Sequence, residues 1–446
     1  MDNYLVEILF GGFLLLLVIG APITVALGGA GMAAYIALDK DPIALVQIAF
    51  TSVGNFPLMA LPAFVLAGAL MEAAGISKRL VDIAEAMAGP ITGGLGTATV
   101  LACLFFGAIS GSGPATTAAV GMLMIPAMAK RGYAKPYAAA VTAASGGLGI
   151  IIPPSIPMII FGIAALGMQP PPEAIAKYGQ FASISIPKLF IAGVIPGIVM
   201  AGSLMTLNYF ISKKSGYKGL TEKWSGADIG RAMKKGIWAM IAPFIILGGI
   251  YTGLFTPTES AIVAIFYTLF VGAFLHRELT LQATLASLRT TTWITGRVLL
   301  ILFTATTFGR LLVEQRIPAD IAESLLGLTS NIYFIWALII AFLIFVGMFM
   351  ETLAAILILV PVLLPVMYTV GADPTHVGIV VICVLSIGFM TPPLGENLFV
   401  ASGVSGETVE RIVVRVLPFV LVSVIAVFII AYIPKLSLWL PGLMGY

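Results

Sequence analysis

The sequence predicts an all-α polytopic membrane protein, with about 11 transmembrane helices plus two re-entrant helical hairpins, arranged as inverted-topology repeats. Three observations carry this expectation. The 446 residues are 60% hydrophobic and only 10% charged. Apolar runs of roughly 17–25 residues, long enough to cross a hydrocarbon core, recur along nearly the whole chain. They are continuous rather than alternating, which excludes a β-barrel. The chain also repeats itself. Phe106–Met128 falls on Phe345–Met367 at an offset of 239, and the same offset lays Gly149 to Pro154 on Gly388 to Pro393. An offset of 238 lays Asp82-Ile-Ala-Glu85 on Asp320-Ile-Ala-Glu323. Finally, matching loops differ in charge. Lys130, Arg131 and Lys135 mark one as inside, whereas Tyr368 to His376 holds Asp373 and neither Lys nor Arg. Opposite sidedness at matching loops is what inverted copies require.

The first apolar block, Leu5 to Leu38, is interrupted at Gly20-Ala-Pro22. It lacks a basic leader, so it reads as a retained span rather than a cleaved signal. Met1-Asp2-Asn3 is poor in basic residues and is placed outside. Phe56 to Gly75, with Pro57 and Pro62, suits a re-entrant hairpin or a bent helix, with its partner near Thr304 to Leu312. Each half then has a helix, a polar break, a helix from near Pro114 or Thr352, and a second break at a double proline. Leu189 to Ser212 closes the first half and Leu417 to Ile433 the second. The linker holds Lys213, Lys214, Lys218, Lys223, Arg231, Lys234 and Lys235 against Glu222 and Asp228, which predicts a cytoplasmic segment. Met240 to Leu275 repeats the first block and is interrupted at Gly253-Leu-Phe-Thr-Pro257. The expected organisation is a first repeat, 1–212, a basic linker, 213–235, and a second repeat, 236–446. An odd number of spans puts the C-terminus inside.

Breaks within lipid leave backbone groups unpaired and survive only in protein, beside a cavity or on an ion. Ser110-Gly-Ser112-Gly-Pro114 combines permissive glycines, a helix-starting proline and two hydroxyls. Gly149 to Ser155, including Ile152, offers more carbonyls. Gly347, Gly388 and Thr391 stand in matching places of the second copy. Freed carbonyls and hydroxyls without fixed charge suit a desolvated Na⁺, so two Na⁺ sites are expected, one per repeat. The plainer alternative is that these small residues only permit close helix packing; duplication of both breaks at one offset weighs against it.

Among ionisable residues in apolar regions, Glu259, Glu351 and Glu396 draw attention, as do Arg297 and Arg310 around Val298 to Phe308. Either arginine could neutralise a substrate carboxylate; the alternative is a snorkelling or structurally paired side chain. Thr116, Ser155, Glu351 and Asn397, close to the breaks, join them as candidate substrate-binding residues. His276 and His376 read as loop residues without a second ligand at metal-binding spacing. Cys103 and Cys383 read as packing residues.

The motifs resemble the large membrane subunit (M subunit) of tripartite ATP-independent periplasmic (TRAP) transporters. The matching runs are Gly107 to Ser112 with Pro114-Ala-Thr116, Ile152-Pro-Pro154, Gly253 to Glu259, and Thr391 to Phe399. The resemblance covers essentially the whole chain. It implies an elevator-type, Na⁺-coupled importer of a small organic acid of the C4-dicarboxylate, sugar acid or sialic acid class, in a bacterial inner membrane. It also implies a small four-helix membrane subunit, not fused to the start of this chain, and a periplasmic substrate-binding protein. The Na⁺ ligands it implies are Ser110, Ser112 and the Gly149 region for one site, and Gly347, Gly388, Thr391 and Leu394 for the other. Some sialic-acid members place Asp where this chain has Thr116, which favours another organic acid.

A stand-alone ion-coupled anion transporter without a binding protein is the alternative. An intramembrane enzyme fits less well: no His-Glu-x-x-His occurs, and no His lies near Ser110 or Ser112 in the sequence. No Walker A run supports an ATP-driven pump, and no nucleic-acid partner is expected.

Overall fold

The structure, a computed structural model, describes residues 5, 7–54, 56–220, 223–329 and 331–445. Met1-Asp2-Asn3 and Glu222, used above to assign sidedness, lie outside the described residues. No strand occurs among the described residues.

A π-helical turn leads into α1 (Gly12–Val18); Pro22 then starts α2 (Ile23–Ala37). Asp41 caps α3 (Pro42–Val53), accepting from Ile43 N at 2.9 Å. Next come α4 (Ala60–Ala73) and α5 (Ile76–Ala88), bent by 70° from one another. The chain turns at Gly75, φ +69°, a conformation that favours glycine. The bend therefore does not sit at Pro62, which lies in the first turn of α4, where proline is tolerated.

The first broken unit runs α6 (Gly94–Ser110), α7 (Gly113–Lys130) and α8 (Lys135–Gly146), a 3₁₀ turn Gly147–Ile150, then α9 (Ile156–Ala165). After the short α10 (Pro172–Tyr178), Ser185 caps the long α11 (Ile186–Ser215). Ser225 caps α12 (Gly226–Tyr251). Thr256 and Glu259 form a reciprocal capping box on α13 (Pro257–Phe270), which runs on into a π-helical Val271–His276. Glu259 is thus a helix cap rather than a buried charge. α14 (Leu281–Glu314) and α15 (Ile317–Leu328) follow. The second broken unit is α16 (Ile332–Phe349), α17 (Thr352–Thr369), α18 (Pro374–Gly388) and α19 (Glu396–Ser405). α20 (Val409–Tyr432) and α21 (Lys435–Leu443) complete the chain.

The 239 offset survives in three dimensions. α6 and α16 end, α7 and α17 start and end, and α8 and α18 start at positions related by it. So are the cis peptide bonds Pro153-Pro154 and Pro392-Pro393. Earlier in the repeats the register differs from the sequence match. α5 starts at Ile76 and α15 at Ile317, an offset of 241 rather than the 238 that aligns Asp82 with Asp320.

Among the described residues, seven helices are each long and apolar enough to span a bilayer, or eight if α4 and α5 form one broken span. The expectation of about eleven spans counts shorter apolar helices as well. α2, α6, α9 and α18 are apolar but shorter, because the breaks divide them. The units interlock reciprocally: α8 packs on α20 and α18 on α11, while α9 packs on α17 and α19 on α7.

Candidate functional site

The first break is built from neutral oxygens. Ser112, in extended conformation, caps α7 through its side chain, and Gly111 turns the chain at φ +61°. The Ser110 Oγ and Thr116 Oγ1 atoms stand 2.8 Å apart. The Thr116 hydroxyl donates to Ser112 O at 2.7 Å, and Thr116 N donates to the same oxygen at 3.1 Å. Gly149 lies directly against this cluster. A Cβ added there would stand 2.5 Å from Ser112 O and would also collide with Thr116 Oγ1. Gly107 faces it: its added Cβ would stand 3.0 Å from Gly149 Cα. Ile156 N donates to Gly111 O at 3.3 Å, tying the break to the segment after the double proline. Ser155 caps α9 and donates its hydroxyl to Ile150 O at 2.5 Å. Ile152 is buried against Gly197.

The second break reproduces the plan with fewer hydroxyls. A Cβ on Gly388 would stand 2.5 Å from Gly347 O. Leu394 N donates to Met348 O at 3.0 Å, which likewise ties the break to the segment after the double proline. Thr391 donates its hydroxyl to Ile387 O at 2.7 Å. Glu351 takes the place of Ser112 at the helix start but makes no capping bond. Its Oε2 stands 3.4 Å from Arg297 Nη2 on α14 instead.

Both breaks open on one cavity of about 260 Å³. Its lining includes Ser110 to Ala115 from the first break and Glu351 to Leu353 from the second. Ile156 and Pro157 of α9 and Glu396 of α19 also reach it. The starts of four helices thus meet at one space, and helix starts present free N–H groups and positive potential. Arg297 is the one basic side chain in the lining among the described residues; Glu72, Glu351 and Glu396 are acidic.

The sequence-derived candidates divide accordingly. Ser110, Ser112, Arg297 and Glu351 line the cavity; Thr116, Gly149 and Ser155 stand behind its first break. Asn397 is fully buried, donating to Ala143 O at 2.9 Å, with its Oδ1 unpartnered and aimed toward Gly113. Arg310 is elsewhere. It pairs with Glu314 at 2.9 Å, and Glu314 also binds Lys40. His376 is not a loop residue: it is buried in α18, within 3.2 Å of Ser437 Oγ and 3.1 Å of Ala431 O. Glu72, Trp293 and Phe389 line the cavity without having been singled out; Glu72, an acid within the apolar run Ala67 to Ala74, carried the same signal as Glu351 and Glu396, whereas Trp293 and Phe389 had none.

Comparison with known proteins places the chain in a family. Residues 10–436 match the family described as "Tripartite ATP-independent periplasmic transporter, DctM component". The chain is 42% identical over 436 residues to the isethionate TRAP transporter permease protein DctMQ of Oleidesulfovibrio alaskensis, covering 98% of this chain and 66% of that protein. It is 36% identical over 440 residues to the C4-dicarboxylate TRAP transporter large permease protein DctM of Rhodobacter capsulatus, covering 98% of this chain and 99% of that one. Identity to the sialic acid TRAP transporter large permease protein SiaM of Vibrio cholerae is 36% over 437 residues, with 98% of each chain covered. The fold is shared with the solved YdaH transporter of Alcanivorax borkumensis, at a TM-score of 0.58 and 16% identity over 89% of this chain and 90% of that one. Matched along nearly its whole length, this multi-pass membrane protein belongs to the DctM component family of tripartite ATP-independent periplasmic transporters.

Proposed function

We propose that this large membrane subunit imports a small organic acid by Na⁺-coupled secondary transport. The substrate would be of the C4-dicarboxylate, sugar acid or sialic acid class, delivered by a periplasmic binding protein and moved with the help of a small four-helix membrane subunit. The reading rests on one observation: two duplicated helix breaks, the first built from neutral oxygens and the second carrying Glu351 against Arg297, meet at a single cavity. Neutral oxygens suit a monovalent cation as co-substrate. Four helix starts and an arginine suit an anion. In the first site Ser110, Ser112 and Thr116 would supply oxygens, with Gly149 and Ile152 adding carbonyls. In the second, Gly347, Gly388, Thr391 and Leu394 would do so mainly through carbonyls. An elevator movement would carry the cavity between the two sides, the N-terminus being periplasmic and the C-terminus cytoplasmic.

The test is uptake into proteoliposomes containing this chain and the small subunit, with purified binding protein outside and an inward Na⁺ gradient. Uptake should collapse when K⁺ replaces Na⁺. Equal uptake under a proton gradient alone would refute Na⁺ coupling. Equal uptake without the binding protein would favour a stand-alone transporter.

A further inference from the structure

α5 leaves α4 at 70°. It buries Ile76, Leu80, Ile83 and Ala84, while Lys78 and Asp82 on its other side are exposed. The apolar face of this short helix packs on α6 and α12, which leaves its charged face turned outward. α12 rises from the basic linker close against it. The contact is made at Gly236, where an added Cβ would stand 2.6 Å from Ile83 Cδ1.

Beside this contact, α5, α12 and the end of the π-helical segment enclose a cleft of about 420 Å³. Arg79 is already engaged, bonding Glu278 Oε1 at 2.9 Å and Gly75 O at 2.8 Å. Lys78, Lys234 and Lys235 also line the cleft and make no ion pair among the described residues; apart from the paired Glu278, Asp82 is the one acid facing them. The adjoining wall is apolar: Trp238 and Leu275 are each 41% exposed. An interfacial tryptophan below a group of lysines matches the two ends of a lipid, an anionic head and a greasy body.

We infer that this cleft binds the headgroup phosphate of an anionic phospholipid from the leaflet that faces the linker. Lys78, Lys234 and Lys235 hold the phosphate, and Trp238 and Leu275 meet the glycerol and upper acyl chain. A free phosphate ion would have no use for the apolar wall, so the membrane lipid is the occupant that fits both halves of the cleft. Placing it in the cytoplasmic leaflet rests on the topology proposed above; the binding itself does not rest on transport.

The transporter, purified from membranes with its co-purifying subunits, is titrated with phosphatidylglycerol and with phosphatidylcholine, and bound lipid is counted by native mass spectrometry. Wild type should retain one more tightly held phosphatidylglycerol than the triple variant Lys78→Gln, Lys234→Gln, Lys235→Gln. Each lysine removed should weaken binding about fivefold, roughly a hundredfold together. Lys213→Gln with Lys214→Gln, in the same linker region but outside the cleft, should leave that lipid in place and shows that generic charge is not the cause. Equal retention in the triple variant overturns the inference. So does equal affinity for phosphatidylcholine, displacement of the lipid by millimolar inorganic phosphate, or occupation of the cleft by an acidic protein segment instead of lipid.

Discussion

Gly149 shows how a missing side chain can define a site. Its hydrogen faces Ser112 O and Thr116 Oγ1, so Gly149→Ala should disturb the oxygen cluster without touching a hydroxyl. Overpacking of this kind costs roughly 1–3 kcal/mol. Na⁺-driven uptake should fall at least tenfold while the protein stays folded in detergent. Gly202→Ala, where an added Cβ meets nothing within 4 Å, should transport normally. Ser112→Leu puts bulk in the cavity itself and should abolish uptake; a variant with full rate and unchanged sodium dependence would sink the assignment. The two arginines separate in the same assay. Arg297→Gln should lower uptake at limiting substrate by tenfold or more, because Arg297 is the cavity's basic group. Arg310→Gln, paired with Glu314 away from the cavity, should change it less than threefold. From the sequence the two were indistinguishable, since their separation depends on which face of α14 meets Glu351, a contact between residues far apart in the chain.

The helices show most clearly what local chemistry could and could not reveal. Breaks made by local signals were legible: Ser112 with Pro114, Asp373 with Pro374, and both double prolines stand at helix boundaries. The bend between α4 and α5 was legible in kind, as a bent helix, but its place at Gly75 rather than at a proline was not, because part of its support comes from a distant part of the chain. Arg79 reaches back to Gly75 O and across to Glu278. The helical place of His376 follows from the same Asp373-Pro374 start, which the reading of Tyr368 to His376 as a loop passed over; its burial depends on Ala431 and Ser437 of α20 and α21. Sidedness of the loops is an independent matter and can be measured. Single cysteines at Lys218 and Thr369 should react with an impermeant maleimide from opposite sides, against a low background because Cys103 and Cys383 are buried. Labelling of both from one side would show that the repeats are not inverted.

For the complete transporter, the two proposed ion sites would have an energetic consequence. Each Na⁺ entering brings roughly 2.3 kcal/mol per 100 mV of potential. A tenfold gradient adds roughly 1.4 kcal/mol per ion. Two ions supply about 7 kcal/mol, and a monoanion moving inward costs about 2.3 kcal/mol, leaving near 5 kcal/mol. That supports more than a thousandfold accumulation, whereas one ion would leave about tenfold. Uptake of a monoanion should therefore carry net positive charge inward, read as an inward current on a solid-supported membrane. Electroneutral uptake of a monoanion would rule out two coupled ions. A dianion with two ions would be electroneutral and would call for a third site.

The reciprocal packing of the two units also bears on how the protein is made. α8, in the first unit, is buried from Tyr137 to Gly146 and packs on α20, more than 260 residues later in the chain. During synthesis it packs on α6 and α7, but the face that meets α20 stays open until nearly the whole chain has been inserted. Completion of the first unit is thus timed by the arrival of the second, and a ribosome that stalls before residue 409 releases a product with an open core, a natural substrate for membrane proteases. Residues 1–212 produced alone should be degraded quickly in cells, and co-expression of residues 213–446 should prolong their lifetime.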